Sequence, residues 1–185
     1  MREDDDGREP SDLLAEHIDG LDPAPYRAVT VAILLLLLRE FGDRLPGEAR
    51  ALATRALERR QSVVSGTFLA SRGDFALLDG DWANLWEWWD SADDVAVGVV
   101  TAFVAFGAAC SDAVLVPGHG LSVTLLDPID VWAQSSPEPT AAEELYRRIF
   151  ALSATVSLLA ERALPVDVDD VFDRSLGGYR LPRRP

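Results

Sequence analysis

Two long apolar segments, 29–38 and 95–110, constrain the fold of this chain more than any other part of its sequence. Each is apolar on nearly every side of a helical projection, which predicts a helix buried all round rather than along one face. The first has about half of the roughly 20 residues that a membrane span needs. The second is nearly long enough, but it contains Gly98, Thr101 and Gly107 and is flanked by aspartates. Both segments therefore favour core helices in a protein that does not cross a membrane.

Apolar residues at helical spacing recur through most of the remaining sequence. They predict further helices over 11–19, 23–41, 47–63, 81–89 and 140–164. We therefore predict an all-α fold, with a single bundle-like domain of about five to seven helices over 11–176 and a buried central helix near 92–113. Residues 1–10 have too few apolar groups to bury and predict a disordered acidic tail, while 177–185 predict a flexible Arg/Pro-rich tail.

The segment 116–139 interrupts the helical pattern. Its prolines and glycines, with Gly118 and Gly120 on either side of His119, are typical of turns. The run 121–126 leans toward β-structure and predicts at most a minor strand. We expect this segment to be a long irregular loop, and loops of this length within compact domains are often functional.

Cysteine usage and the first residues indicate a cytoplasmic protein. Cys110 is the single cysteine, so the sequence excludes an intrachain disulfide and a cysteine-based zinc site. The start of the chain is acidic, whereas a secretory signal begins with basic residues followed by an apolar stretch. Every basic residue other than histidine is arginine, which, together with abundant Ala, Gly and Pro, is typical of a GC-rich bacterial genome.

The charge of the chain is distributed unevenly. The formal net charge is −14, and between Arg72 and Arg147 the sequence has no Lys or Arg while acidic residues recur throughout. This balance excludes nucleic acid as a partner, because nucleic-acid binding depends on neutralising phosphates with basic side chains. The segment 44–60 is locally basic by contrast, and we expect it to lie against part of the acidic middle.

Tryptophans are concentrated inside this anionic stretch. Trp82, Trp86 and Trp89 share one arc of the predicted 81–89 helix, which we expect to face the core, whereas Trp88 falls outside that arc. An exposed tryptophan surrounded by acids is suited to anchor arginine or lysine side chains of a basic partner. The alternative is that Trp88 packs beneath a neighbouring loop. The predicted partner-binding residues are Trp88, Glu87, Asp81, Asp90 and Asp93.

His119 suggests a second kind of site. It lies in the predicted loop, where a histidine is often a general acid or base, and the acids that could orient it are Asp112, Asp127 and Asp130. No nucleophile motif and no helical pair of histidines accompanies it. The competing interpretation is an ordinary turn histidine.

Asp90, Asp93 and Asp94 form an acidic cluster at the predicted start of the 92–113 helix. Carboxylates are the ligands that Mg²⁺ prefers. Ser91 and Asp94, however, also fit a helix capping box, and acidic side chains are favourable at a helix N-terminus. We interpret the cluster as a helix start. Since the sequence also lacks a glycine-rich phosphate loop, we predict neither a metal site nor a cofactor.

These features favour a non-enzymatic binding protein that engages a basic protein partner. In overall character the chain resembles small acidic helical proteins that neutralise toxins, which implies an immunity-like or regulator-like role. The alternative is a small enzyme or ligand-binding domain with its site in the 116–139 loop around His119. Homo-oligomerisation is a third option that the sequence leaves open.

Overall fold

The computed structural model of this chain describes residues 8–67, 92–112, 115–118, 120–136 and 138–182. In these ranges the chain forms eight α-helices and no strand. The first four are α1 (Pro10–Asp19), α2 (Pro23–Phe41), α3 (Gly47–Glu58) and α4 (Arg60–Val64). The other four are α5 (Asp94–Ser111), α6 (Leu121–Gln134), α7 (Pro139–Glu161) and α8 (Val168–Phe172). The predicted all-α fold is confirmed, with more helices than we expected.

Helix α2 lies at the centre of the domain. It packs against each of the other α-helices in the described ranges, because apolar side chains surround it on every face. Ile33, Leu34, Leu36 and Leu37 are all 0% exposed, and burial of a side chain of this size contributes about 1.5–3 kcal/mol. Pro23 occupies the first turn, where its missing N–H is not needed. The 29–38 segment is therefore a core helix, as predicted.

Helix α5 is the second buried helix. It packs against α2, α3 and α6. By length and composition it also meets the requirement for a membrane span, but 56% of that stretch is buried inside the domain. The helix begins one residue after Asp93, whose Oδ1 accepts a hydrogen bond from Ala96 N at 3.1 Å. The cap is thus Asp93, whereas the sequence suggested a box formed by Ser91 and Asp94.

Helices α5 and α6 cross at a glycine. A Cβ atom added at Gly98 would lie 3.2 Å from Pro128 Cγ and 3.4 Å from Pro128 Cα. The absent side chain therefore lets the proline ring lie directly against the α5 backbone. Pro128 is itself buried within α6.

The irregular loop predicted for 116–139 is wrong for most of its length, because 121–134 is the helix α6. The predicted strand at 121–126 is wrong as well. Leu121, Leu125, Ile129 and Trp132 are buried at helical spacing. From the sequence, Pro128 indicated a turn, since a proline inside a helix removes a backbone hydrogen bond. Its packing on Gly98 offsets that loss, and this contact between distant residues is invisible in the local pattern.

Helix α1 packs beside α7. The His17 ring stacks on Phe150 with centroids 3.9 Å apart, and His17 Nε2 lies 2.7 Å from Ser153 Oγ. Because the Ser153 hydroxyl donates to Phe150 O at 2.7 Å, its oxygen accepts the His17 Nε2–H. Burial lowers the pKa of His17 below its usual value.

Residues 177–182 pack on the domain, so the flexible tail predicted for 177–185 is wrong in its described part. Leu181 is buried, and its N–H donates to Glu40 Oε2 at 3.0 Å. The Tyr179 hydroxyl donates to Ala141 O at 2.6 Å. These contacts fix the described part of the tail, which ends at 182, to α2 and α7.

We predict that Gly98→Ala lowers the free energy of unfolding, while Gly107→Ala, in the same helix, raises it by roughly 0.5–1 kcal/mol. Alanine is the better helix former at both positions, but only the Cβ at Gly98 meets the proline ring, since no atom lies within 4 Å of a Cβ at Gly107. Urea unfolding of both variants measures the difference. Equal stabilisation by the two substitutions would contradict the close α5–α6 crossing.

We also predict that stability falls as the pH drops through the ordinary histidine pKa of 6.5. His17 has a lower pKa in the folded state, so the unfolded chain binds more protons in this range and acid favours unfolding. Urea unfolding between pH 5 and 8 should show a weaker pH dependence for His17→Gln than for the wild type. Identical profiles would rule out a partly buried His17 that stays neutral.

Candidate functional site

Three described acidic residues lie near the first turns of α5, two at its start and one from the middle of α6. Asp93 and Asp94 begin α5, and Asp127 Oδ2 would lie 3.3 Å from a Cβ at Gly98, one turn further along that helix. All three carboxylates belong to exposed residues. We call these three residues the acidic end.

The basic segment 44–60 reaches this surface. Arg44 Nη1 lies 3.2 Å from Asp93 Oδ1, and the Asp93 side chain remains 51% exposed. The expectation that the basic segment lies against part of the acidic middle is confirmed at this contact. Asp93 therefore caps α5, pairs with Arg44 and still faces solvent, so a substitution there would perturb the fold as well as any binding.

Most of the predicted partner-binding residues lie outside the described ranges. These are Asp81, Glu87, Trp88 and Asp90, together with the predicted 81–89 helix. In the sequence Asp90 stands three positions before Asp93, so the two belong to one continuous acidic stretch. Of the predicted set, the structure places Asp93 alone.

The structure does not bring together the acids predicted to accompany His119. Asp127 lies near Gly98, whereas Asp112 follows the opposite end of α5. Asp130 accepts a hydrogen bond from the Tyr146 hydroxyl of α7. His119 itself lies outside the described residues. Asp112 therefore lies apart from Asp127 and Asp130, which are one turn apart in α6, and the role predicted for His119 remains a prediction.

A small cavity of about 260 Å³ opens between the end of α5 and the start of α6. Alanines of α5 line it, with Asp112 and Gly120 also contributing and Tyr26 of α2 at its wall. Tyr26 is 0% exposed, and its hydroxyl makes no hydrogen bond of good geometry with a described residue. Burial and then the charge of Asp19 raise the pKa of Tyr26 to about 12, while the nearby Thr30 hydroxyl opposes the shift through a weak contact, so the phenol stays protonated.

Sequence analysis missed Tyr26. Its signal was a polar group at the start of the most apolar helix. Thr30, one turn further on, has a buried hydroxyl close to that of Tyr26, but the two make no hydrogen bond of good geometry. Ser122 at the start of α6 donates a hydrogen bond to Asp19 at the end of α1. A buried hydroxyl without a good hydrogen bond beside a cavity is the arrangement expected where a small ligand or water binds.

A larger groove of about 590 Å³ runs between α1 and α7. Its lining is almost entirely apolar and includes Leu13 and Phe150, which are 41% and 45% exposed. Sequence analysis missed this groove too. Its signal was Phe150, a large apolar residue outside the buried stripe of α7.

Neither a metal site nor a reactive cysteine is supported in the described part of the chain. No group of three His, Cys, Asp or Glu side chains there could hold a metal ion. Cys110 is fully buried, and burial raises the pKa of its thiol to about 12. At neutral pH it is therefore a packed thiol rather than a nucleophile.

Comparison of the chain with models of protein families, with curated proteins and with solved structures found no match.

Proposed function

We propose that this protein is a non-enzymatic binding protein that engages a basic protein partner through the acidic end and the acidic, tryptophan-rich segment that precedes it in the sequence. The observation that carries the proposal is that Asp93 and Asp94 begin α5 while Asp127, from the middle of α6, lies against Gly98 in the next turn of α5. Both helices pack in the core, so they would present the carboxylates from well-packed elements.

Charge supports this choice of surface. The stretch from 73 to 146 has no Lys or Arg, so positive charge at the acidic end comes from elsewhere in the fold, as from Arg44. A surface with one sign of charge accelerates encounter with an oppositely charged partner and discriminates against acidic ones. Trp88 would add the buried aromatic contact that anchors such interfaces.

We predict that a basic protein recovered from the native host binds with an affinity that falls as salt rises. Direct titration of the purified pair should show binding at least roughly tenfold weaker for Trp88→Ala, as for a central aromatic anchor. The double change Asp94→Asn with Asp127→Asn should weaken binding and reduce its salt dependence, since it removes two charges from the surface.

A matched control separates the surface from total charge. Asp12→Asn with Glu58→Gln removes the same amount of charge from exposed positions on α1 and α3. This control should bind like the wild type. Equal weakening by both double variants, or binding that is insensitive to salt, would contradict the proposal.

A second candidate function is the binding of a small ligand in the cavity beside Tyr26. The buried Tyr26 hydroxyl, which makes no hydrogen bond of good geometry with a described residue, favours it, and Asp112 at the lining adds a negative charge. The cavity is smaller than the roughly 300–1,000 Å³ of most drug-sized sites. A suitable ligand is therefore a small, mostly apolar molecule with one hydrogen-bonding group or amine.

We predict that Tyr26→Phe raises the free energy of unfolding by about 1 kcal/mol, because it removes a buried hydroxyl that makes no hydrogen bond of good geometry. Small alcohols and amines should raise the melting temperature of the wild type but not of this variant. Destabilisation by Tyr26→Phe would show that the hydroxyl is already satisfied, and ligand effects common to both proteins would exclude this cavity.

A further inference from the structure

The outer face of α7 carries an ordered pattern of exposed residues. Arg147, Ala154 and Glu161 are spaced by seven residues, so they lie on one stripe, two turns apart. Phe150 and Leu158 lie between them and are 45% and 46% exposed. The opposite face of the helix holds the buried residues Leu145, Ile149, Leu152 and Val156.

We propose that this face binds the same face of a second copy of the chain, with the two α7 helices antiparallel around a two-fold axis at Ala154. A two-fold interface pairs one patch with itself, so positions equally distant from the axis meet. In this register Arg147 meets Glu161 of the second copy, and Phe150 meets Leu158 of the second copy. Each contact occurs twice.

Charge selects the antiparallel arrangement. The arginine lies toward the start of the stripe and the glutamate toward its end, so antiparallel helices form two opposite-charge pairs across the interface. A parallel arrangement would place Arg147 against Arg147 and Glu161 against Glu161, and like charges in contact are unfavourable. Arg147 also pairs with Glu144 of its own helix, but its side chain is 71% exposed and remains accessible.

The shape of the face fits the same partner. The alanines Ala151 and Ala154 allow two helix backbones to approach closely, within the roughly 8–10 Å typical of packed helices. The groove between α1 and α7 is lined by Leu13 and Phe150. Leu158 of the second copy, which meets Phe150 in this register, would enter that groove.

The expected dimer is a weak one. The stripe from Arg147 to Glu161 is about 21 Å long at the helical rise of 1.5 Å per residue. A single helix pair of this length, with Leu13 of α1 beside it, buries less area than the roughly 1,600 Å² of a standard interface. We therefore expect a dissociation constant in the micromolar range.

Sedimentation equilibrium of the full chain over micromolar to millimolar concentrations tests the proposal. Arg147→Glu and Glu161→Arg should each weaken dimerisation at least roughly tenfold, and the double variant should restore it because the pair is re-formed with reversed signs. If association depended only on the net charge of the chain, Glu161→Arg would strengthen it, because this change lowers the net negative charge. The proposed pair predicts the opposite result for this variant. Both positions are exposed, and circular dichroism of each variant checks that it folds.

Crosslinking tests the register. Ala154→Cys places two thiols at the two-fold axis, so mild oxidation should yield a disulfide-linked dimer, while Ala51→Cys, at an exposed position of α3, should not. Cys110 is buried and does not compete. A wild-type chain that stays monomeric at all concentrations, a double variant that fails to recover, or equal crosslinking of both cysteine variants would overturn the proposal.

Discussion

The structure depends on the burial of α2 on every side. An all-round apolar helix cannot lie at the surface of a water-exposed domain, so the other helices must enclose it. The positions of α5 and α7 follow from this requirement, since both pack on α2. The same requirement removes the Tyr26 hydroxyl from water at the edge of this core. A buried hydroxyl without a good hydrogen bond costs free energy, which makes this position suited to a ligand or a water molecule.

The exposed features of the domain lie on different helix pairs. The acidic end lies on α5 and α6, and the groove lies between α1 and α7. The proposed dimer would carry two acidic ends in one particle, and a bivalent arrangement of this kind strengthens binding to a partner with repeated sites.

The sequence predicted the parts of the fold that depend on local pattern. The bounds of α2 and the burial of α5 follow from apolar runs, and the buried stripe of α7 follows from helical spacing. It failed where a distant contact overrides the pattern, as for Pro128, which is tolerated inside α6 because Gly98 lies against it. The described part of the tail is a second example: it was predicted to be flexible, but a distant contact fixes it, since the Leu181 N–H donates to Glu40 of α2. The Tyr26 cavity required the relative placement of three helices, which no single segment encodes.

The central claim is that the acidic end is the working surface, separate from the groove. Hydrogen–deuterium exchange of the complex with its basic partner measures this directly, residue by residue. We expect slower exchange at the start of α5, in the part of α6 around Asp127 and in the acidic segment before α5, with the α1–α7 groove unchanged. Slower exchange confined to the α1–α7 groove or to the residues around Tyr26, with no change at the acidic end, would contradict it.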